Sequence, residues 1–458
     1  VIDFIEVWNI FLQTFWQATF SSLFSIVVGF FIALGLINIR SQKTLSGFEF
    51  FFISPQILPT LFILLSVYQI YAAFETAPAG FLDIVIIHVI INAGFSGVQL
   101  SRILKTKIGG FAELAQVEGA SALQFFKTTL PYLKKDLLQL FFTIFVFCFL
   151  SFSIPVVVGG RASETLEILI YKKIIAENLL TAALLISLMQ FALLAVVGAL
   201  INSRMGIVSR LQSYPTVHYG SRFFMILPVL AISLIYFFAL RDFILGASEI
   251  LRQKIVLESL IQATFGSLIT GLIAGLSVFV LSLILAYFLP KPLLSKILFV
   301  MTPPSIVFVG LTIFIMGWTP IASFSGFTLL GVCLALLSFF TLYRFGIASL
   351  FDGISHQIQV AQSLGASRFL IFKSVVMPQL IQHLCYFAGI AAFWAAGDFA
   401  LSLFIVPIES NLALFVKMLI SRYKLEMATA VIWWMMAVGL FIFLLFKGVG
   451  RVAYKRLN

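Results

Sequence analysis

Charge is scarce in this chain. Only 10% of its 458 residues are Asp, Glu, Lys or Arg, where an ordinary soluble domain carries about 25%. With a mean hydropathy of +1.12, that scarcity excludes a soluble globular enzyme and a disordered chain. Cysteine is rarer still. Cys148, Cys333 and Cys385 lie inside apolar runs with no Cys-x-x-Cys spacing, which excludes a disulfide-stapled module and reads them as small hydrophobes. Four histidines and almost no acids within the apolar runs leave no support for Ser-His-Asp or paired-carboxylate catalysis, and no metal or cofactor is called for. No G-x-x-x-x-G-K-[ST] occurs, so the chain cannot cradle ATP in a P-loop by itself. Nor does a cleavable signal peptide show, because the first apolar run is far too long for one.

What is abundant is apolar residue, 61% of the chain. The class that remains is an all-α polytopic membrane protein, since hydrocarbon offers a spanning backbone no hydrogen-bond partner. Runs free of charge predict about 11 spans: Val7 to Ile39, Phe50 to Phe74, Ile84 to Ser101, Leu137 to Gly160, Asn178 to Ser203, Phe223 to Leu240 and Ser259 to Pro290. The run Ile297 to Tyr343 is broken near Trp318-Thr319-Pro320 and Ser323 to Gly326 into an eighth and a ninth. Ser374 to Pro407, interrupted only by Asp398, and Met427 to Phe446 complete the set.

Basic residues fix the orientation. With the N-terminus outside, the inner loops hold 20 of the 29 Lys and Arg against five acids (Glu49, Glu113, Glu118, Asp136, Asp352), an inner sum of +15 and −4 elsewhere. The positive-inside rule then favours N-out and a C-terminus inside. An uncleaved N-out start on a short tail is unusual, and it predicts that an upstream helix is absent.

The sequence also repeats. Gln17-Ala-Thr-Phe-Ser-Ser-Leu23 recurs as Gln262-Ala-Thr-Phe-Gly-Ser-Leu268; Pro59 maps onto Pro304, Gly119-Ala120-Ser121 onto Gly365-Ala366-Ser367, Phe126-Lys127 onto Phe372-Lys373, and Pro131 onto Pro378. The offset drifts only from 245 to 247. Ordered matches of this kind predict a duplication, with matched helices running the same way through the membrane. That makes the repeats parallel, unlike the inverted repeats of many secondary transporters. The expected division is residues 1–203 as a first repeat of about five helices, 204–222 as an inner linker, and 223–458 as a second of about six.

The two long inner loops carry the chemistry. The first runs Glu113-Leu-Ala115-Gln-Val-Glu-Gly119-Ala120-Ser121 and on to Pro131; the second runs Gln359-Val-Ala361-Gln-Ser-Leu-Gly365-Ala366-Ser367 and on to Pro378. A short amphipathic helix, a glycine permitting a sharp turn and a proline at re-entry make a knob suited to a cleft on another protein. The pattern resembles E-A-A-x3-G-x9-I-x-L-P, the coupling motif of ABC importer permeases of the molybdate, maltose and thiamine type. There are departures: Gln359 stands where that motif has Glu, and the glycine-to-proline spacing is 12 in the first copy and 13 in the second.

A wider resemblance rests on Phe15-Trp-Gln-Ala18, Leu58-Pro59, Leu65-Ser-Val-Tyr68, Cys148-Phe-Leu-Ser-Phe152, Gly159-Gly160 with Thr165-Leu-Glu-Ile168 and Ile170-Tyr171, and Gly397-Asp-Phe399. Together these look like the fused thiamine permeases of ABC importers, with the fused iron(III) permeases next closest. The resemblance implies the type I importer permease fold, a place in a bacterial inner membrane with the C-terminus cytoplasmic, two copies of an ABC ATP-binding subunit, and a soluble substrate-binding protein on the outer side. It implies no partner beyond these and membrane lipid, and no nucleic acid. The chain itself would be a transport subunit, not an enzyme. A secondary transporter driven by an ion gradient is the alternative from another class, and it calls for coupling carboxylates within the spans. Only Asp398 qualifies. It either lines the translocation path, favouring a cation, or serves as a hydrogen-bonded carboxylate at a helix end. His88 and Asn92, four apart, share one face of the third span, as a pair lining the path or as an interhelical hydrogen-bond pair.

Overall fold

A computed structural model describes residues 4–78, 80–159, 163–201, 219–288, 326–407 and 409–457, and all regular structure among them is helical. Seven helices are long and apolar enough to cross a membrane: Phe4–Leu36, Phe81–Val117, Leu180–Gly198, Arg222–Arg252, Lys254–Tyr287, Arg368–Ala396 and Leu425–Leu457. They correspond to the first, third, fifth, sixth, seventh, tenth and eleventh runs expected from sequence.

The other runs differ for local reasons. Phe50 to Phe74 is not one straight span: α2 (Gln42–Ile57) and α3 (Thr60–Ala72) meet at 91°. Pro59 caps α3, and a residue before proline is driven out of helical conformation; Leu58 accordingly sits extended at ψ 151°. If the bent pair is one span, the count is eight. The fourth run is divided at Leu150 into α6 (Lys134–Phe149) and the short α7 (Ser153–Val158). The eighth run falls at residues outside the described ones, as does most of the expected linker, and the ninth is the 17-residue helix Gly326–Leu342.

The chain packs as two units. One is drawn mainly from the residues up to Ile186 and from a segment ending at Arg241; the other runs mainly from Asp242 onwards. In the first, α1 (Phe4–Leu36) lies along α4 (Phe81–Val117) through small residues: a Cβ added at Gly29 would fall 2.5 Å from Ser96 Oγ. Close backbone approach through such residues is how helices associate where lipid tails are as apolar as leucine. Gly94 brings α4 onto α2 so closely that a Cβ there would stand 1.7 Å from the Phe52 carbonyl oxygen. Ile32, Leu36, Phe52, Val98 and Met225 form the core around this junction. A 37-residue helix is about 55 Å long, well beyond the roughly 30 Å hydrocarbon layer. The final turns of α4 therefore project past the apolar slab, and there Arg102 pairs with Glu49 at 2.9 Å and Lys107 with Asp136 at 2.8 Å.

In the second unit the 35-residue α11 (Lys254–Phe288) packs against α15 (Met377–Ala396) and α18 (Leu425–Leu457). The contacts again use small residues, with Gly271 facing Ala392 and Ile442, and Gly389 facing Phe443. A polar tie crosses this packing: Trp434 Nε1 donates to Thr264 Oγ1 at 2.9 Å. The three cysteines are buried and form no disulfide.

Candidate coupling loops and buried polar clusters

Each unit carries one of the two motif loops. In the first, α4 stops at Val117 and Gly119 takes φ +70°; in the second, the helix Ala348–Ser363 stops and Gly365 takes φ +77°. The left-handed residue lets the last carbonyls of each helix find donors. Ala120 N donates to Ala115 O at 2.8 Å, and Gly119 N to Gln116 O at 3.1 Å; Ala366 N donates to Ala361 O at 3.1 Å, and Gly365 N to Gln362 O at 3.0 Å. Serine then opens a new helix in both loops. Ser121 accepts from Gln124 N, and the Gln124 side chain accepts from Ser121 N at 2.9 Å, a reciprocal capping box. Ser367 accepts from Leu370 N at 3.3 Å, and leucine at that place cannot return the bond.

The exposure pattern matches position by position. Glu113, Gly119 and Ser121 are exposed, as are Gln359, Gly365 and Ser367; Ala115 and Ala120 are half-buried, as are Ala361 and Ala366. Phe125 and Ile371 are buried at the equivalent places beneath. Large apolar side chains nevertheless face outward, with Val117 85%, Leu123 80% and Leu364 81% exposed. The spacing difference of one residue before the prolines has a visible cause. The first loop leaves its helix through a tight 3-10 turn, Leu130–Leu133, which holds Pro131; the second leaves through a wider π-turn, Phe372–Val376, before Pro378 enters α15. A π-turn absorbs an extra residue where a 3-10 turn saves one.

The other sequence-nominated residues lie within the helix packing. His88 and Asn92 are buried on α4. His88 Nδ1 lies 2.7 Å from Gln17 Nε2 on α1, Gln17 Nε2 also donates to Ser21 Oγ, and Asn92 Nδ2 donates to the His88 carbonyl and reaches Cys148 Sγ at 3.7 Å. The pair therefore joins α1, α4 and α6 in one polar cluster. Gln17 stands in both the repeat signature and Phe15-Trp-Gln-Ala18, and Ser21 in the repeat signature; a glutamine four residues before a serine, hence on one helical face, is the signal that marks them.

Asp398 lies two residues beyond the end of α15, whose C-cap is Gly397, and is part-buried. Its Oδ2 accepts from Leu401 N at 2.9 Å and Ser402 N at 3.1 Å, capping the short helix Ser402–Ile405. The network continues: Asn411 Nδ2 donates to Ser402 Oγ at 2.7 Å, and Asn411 Oδ1 caps the helix Leu412–Ser421. The N–H of Leu412 reaches Ser267 Oγ on α11 at 3.0 Å. The first unit holds a parallel tie, Leu166 N to Thr14 Oγ1 at 3.0 Å, at the start of the equally long helix Leu166–Ile175. The sixth residue of each short helix meets the third residue after the preceding long one. In the first unit the Tyr171 and Phe152 rings are 5.5 Å apart; in the second, Lys417 Nζ stands 5.8 Å from the Phe399 ring. At the open end of Leu166–Ile175 the hydrogen-bonded Glu177 carboxylate holds the Lys173 ammonium above the usual lysine range. Among the described residues no three His, Cys, Asp or Glu side chains come together to hold a metal ion.

Over an alignment of 200 residues, which covers 40% of this chain, it is 24% identical to the thiamine transport system permease protein ThiP of Escherichia coli (strain K12). The matched stretch spans 37% of that protein's length. The likeness to ThiP is thus distant and partial, and it falls on a polytopic membrane protein. No known protein-family model matches the chain, and no solved structure matches it.

Proposed function

We propose that the chain is the membrane-spanning subunit of an ATP-driven ABC importer for thiamine or thiamine phosphates, built from two parallel repeats and working by alternating access. The observation that carries this reading is the matched pair of inner loops. Two segments 246 residues apart share a left-handed glycine, the same carbonyl-to-amide closure, a serine cap and the same exposure pattern. A knob presented twice suits two copies of one partner. The similarity to ThiP, a thiamine transport system permease protein, supports thiamine as the cargo; two ATP-binding subunits inside and a binding protein outside follow from the resemblance of the two loops to the coupling motif.

In this mechanism ATP closes the ATPase pair, and the loops at Gly119 and Gly365 are carried with it. Projecting helix ends such as that of α4 pass the movement to the spans, and the two repeats rock to open outward. Hydrolysis belongs to the separate subunit. The membrane is a bacterial inner membrane, with the loops and the C-terminus on the cytoplasmic side.

The test is co-expression with an ABC ATPase and a substrate-binding protein of the same organism, followed by labelled thiamine uptake into proteoliposomes with and without ATP on the loop side. ATP-dependent uptake that iron(III) does not compete is the expected result. ATP-dependent activity without thiamine uptake would move the cargo to iron(III) or another solute. A stable chain that captures no ATPase would overturn the reading and restore the ion-gradient alternative.

A further inference from the structure

The segment that leads into the helix Ile226–Arg252 is built into the first motif loop. Tyr219 lays its ring on Phe125 with centroids 4.5 Å apart and planes 18° from parallel, and its hydroxyl donates to the Ala120 carbonyl at 3.0 Å. Phe125 is buried beneath that loop and packs edge-on against Phe126, which in turn packs against Phe30 of α1. The next residue is held as firmly. A Cβ on Gly220 would fall 2.0 Å from the Leu34 carbonyl oxygen, so glycine is required for the approach, and Asn38 Nδ2 donates to the Gly220 carbonyl at 3.2 Å. Ser221 then caps the turn Arg222–Met225, and Met225 fills the space over Gly35. Residues 219–225 thus clip the inner end of α1 to the loop around Gly119. A cavity of about 460 Å³, lined by Ala115, Glu118, Gly119, Gln124 and Thr128 among others, opens beside the Ala120 carbonyl that Tyr219 holds.

We propose that Tyr219 is a positioning residue for the first coupling loop, so that the end of the segment joining the two repeats is a working part of one transmission element and not a passive tether. The inference rests on the importer reading for its functional consequence, but not for the contact itself. A stacked aromatic pair adds attraction beyond its buried area, and the hydrogen bond fixes the carbonyl of the residue that follows the left-handed glycine. Together they hold the loop to α1, so a push on the loop is delivered to that span instead of being absorbed by the turn. The second loop has Ile371 where the first has Phe125, and an aliphatic side chain cannot stack on a ring in this way.

The test uses the full chain with Tyr219→Phe and Tyr219→Ala in two measurements. Hydrogen exchange on the chain alone in nanodiscs is expected to speed up about tenfold across Ala122–Thr129 in Tyr219→Ala, less in Tyr219→Phe, and not at all across residues 366–376. Unchanged exchange in Tyr219→Ala would overturn the clip whatever the transport result. With ATPase added, Tyr219→Ala is expected to raise the ATP hydrolysed per solute imported, with Tyr219→Phe close to the natural protein. Faster exchange with an unchanged ratio would reduce the clip to a structural role and overturn the positioning claim. Failure of the natural chain to bind an ATPase would sink the importer reading while leaving the exchange result standing.

Discussion

Gly119 and Gly365 share a left-handed backbone conformation, φ +70° and +77°, although 246 residues separate them. At both, a Cβ would meet nothing within 4 Å. Glycine is there for its dihedral angle and not for space.

Alanine at either position therefore strains the turn by about 1–2 kcal/mol without disturbing a neighbour. The expected outcome for Gly119→Ala and Gly365→Ala is normal insertion, a small loss of thermal stability and weakened coupling. Gly365→Glu adds bulk and charge at the exposed knob and is expected to stay in the membrane while uncoupling ATP hydrolysis from transport. Normal substrate-stimulated hydrolysis in Gly365→Glu would count against the loop assignment.

Helical class, the long spans and the two loops were all legible in the sequence, because each depends on local properties: charge-free length, a glycine, a serine cap. What was not legible depends on partners far along the chain. Nothing near Thr14 announces that it will meet the N–H of Leu166, and nothing near Tyr219 announces Phe125. The bend between α2 and α3 was written in Pro59, but hydropathy alone reads straight through it. The one-residue difference in loop spacing looked like a departure from the motif. It is absorbed by a 3-10 turn in one loop and a π-turn in the other.

Gly94 makes a different use of glycine. A Cβ there would stand 1.7 Å from the Phe52 carbonyl, so Gly94→Ala must push α2 from α4. Overpacking of this kind costs roughly 1–3 kcal/mol. The expected result is a lower midpoint of thermal unfolding in detergent, larger than that of Gly47→Ala, where a Cβ meets nothing within 4 Å. Equal midpoints for the two variants would show that the helices are not packed this closely.

The buried cluster at His88 separates a packing role from a path role. If the Gln17–His88 contact ties α1 to α4, the two residues are coupled energetically. A double-mutant cycle with Gln17→Leu and His88→Leu is expected to give an interaction of about 0.6 kcal/mol, the average for interhelical hydrogen bonds in membranes. Transport should fall only as far as stability does. Additive stability effects with a selective loss of uptake would instead make His88 a lining residue.

Asp398 poses the same choice with a charge at stake. Its carboxylate accepts two backbone N–H bonds at the start of Ser402–Ile405, and an asparagine amide oxygen can accept both. Removing the cap altogether, as in Asp398→Ala, costs about 1 kcal/mol and also frees Ser402 from one of its ties to the Asn411 network. For a capping residue, Asp398→Asn should unfold and transport like the natural protein while Asp398→Ala unfolds earlier. For a residue whose negative charge draws a cation along the path, Asp398→Asn should lose uptake at unchanged stability. The hydrogen bonds favour the first outcome, because an oxygen occupied by two amide donors is poorly placed to meet a passing solute. Measured side by side in proteoliposomes, the ratio of uptake to unfolding midpoint in the two variants decides between capping and charge.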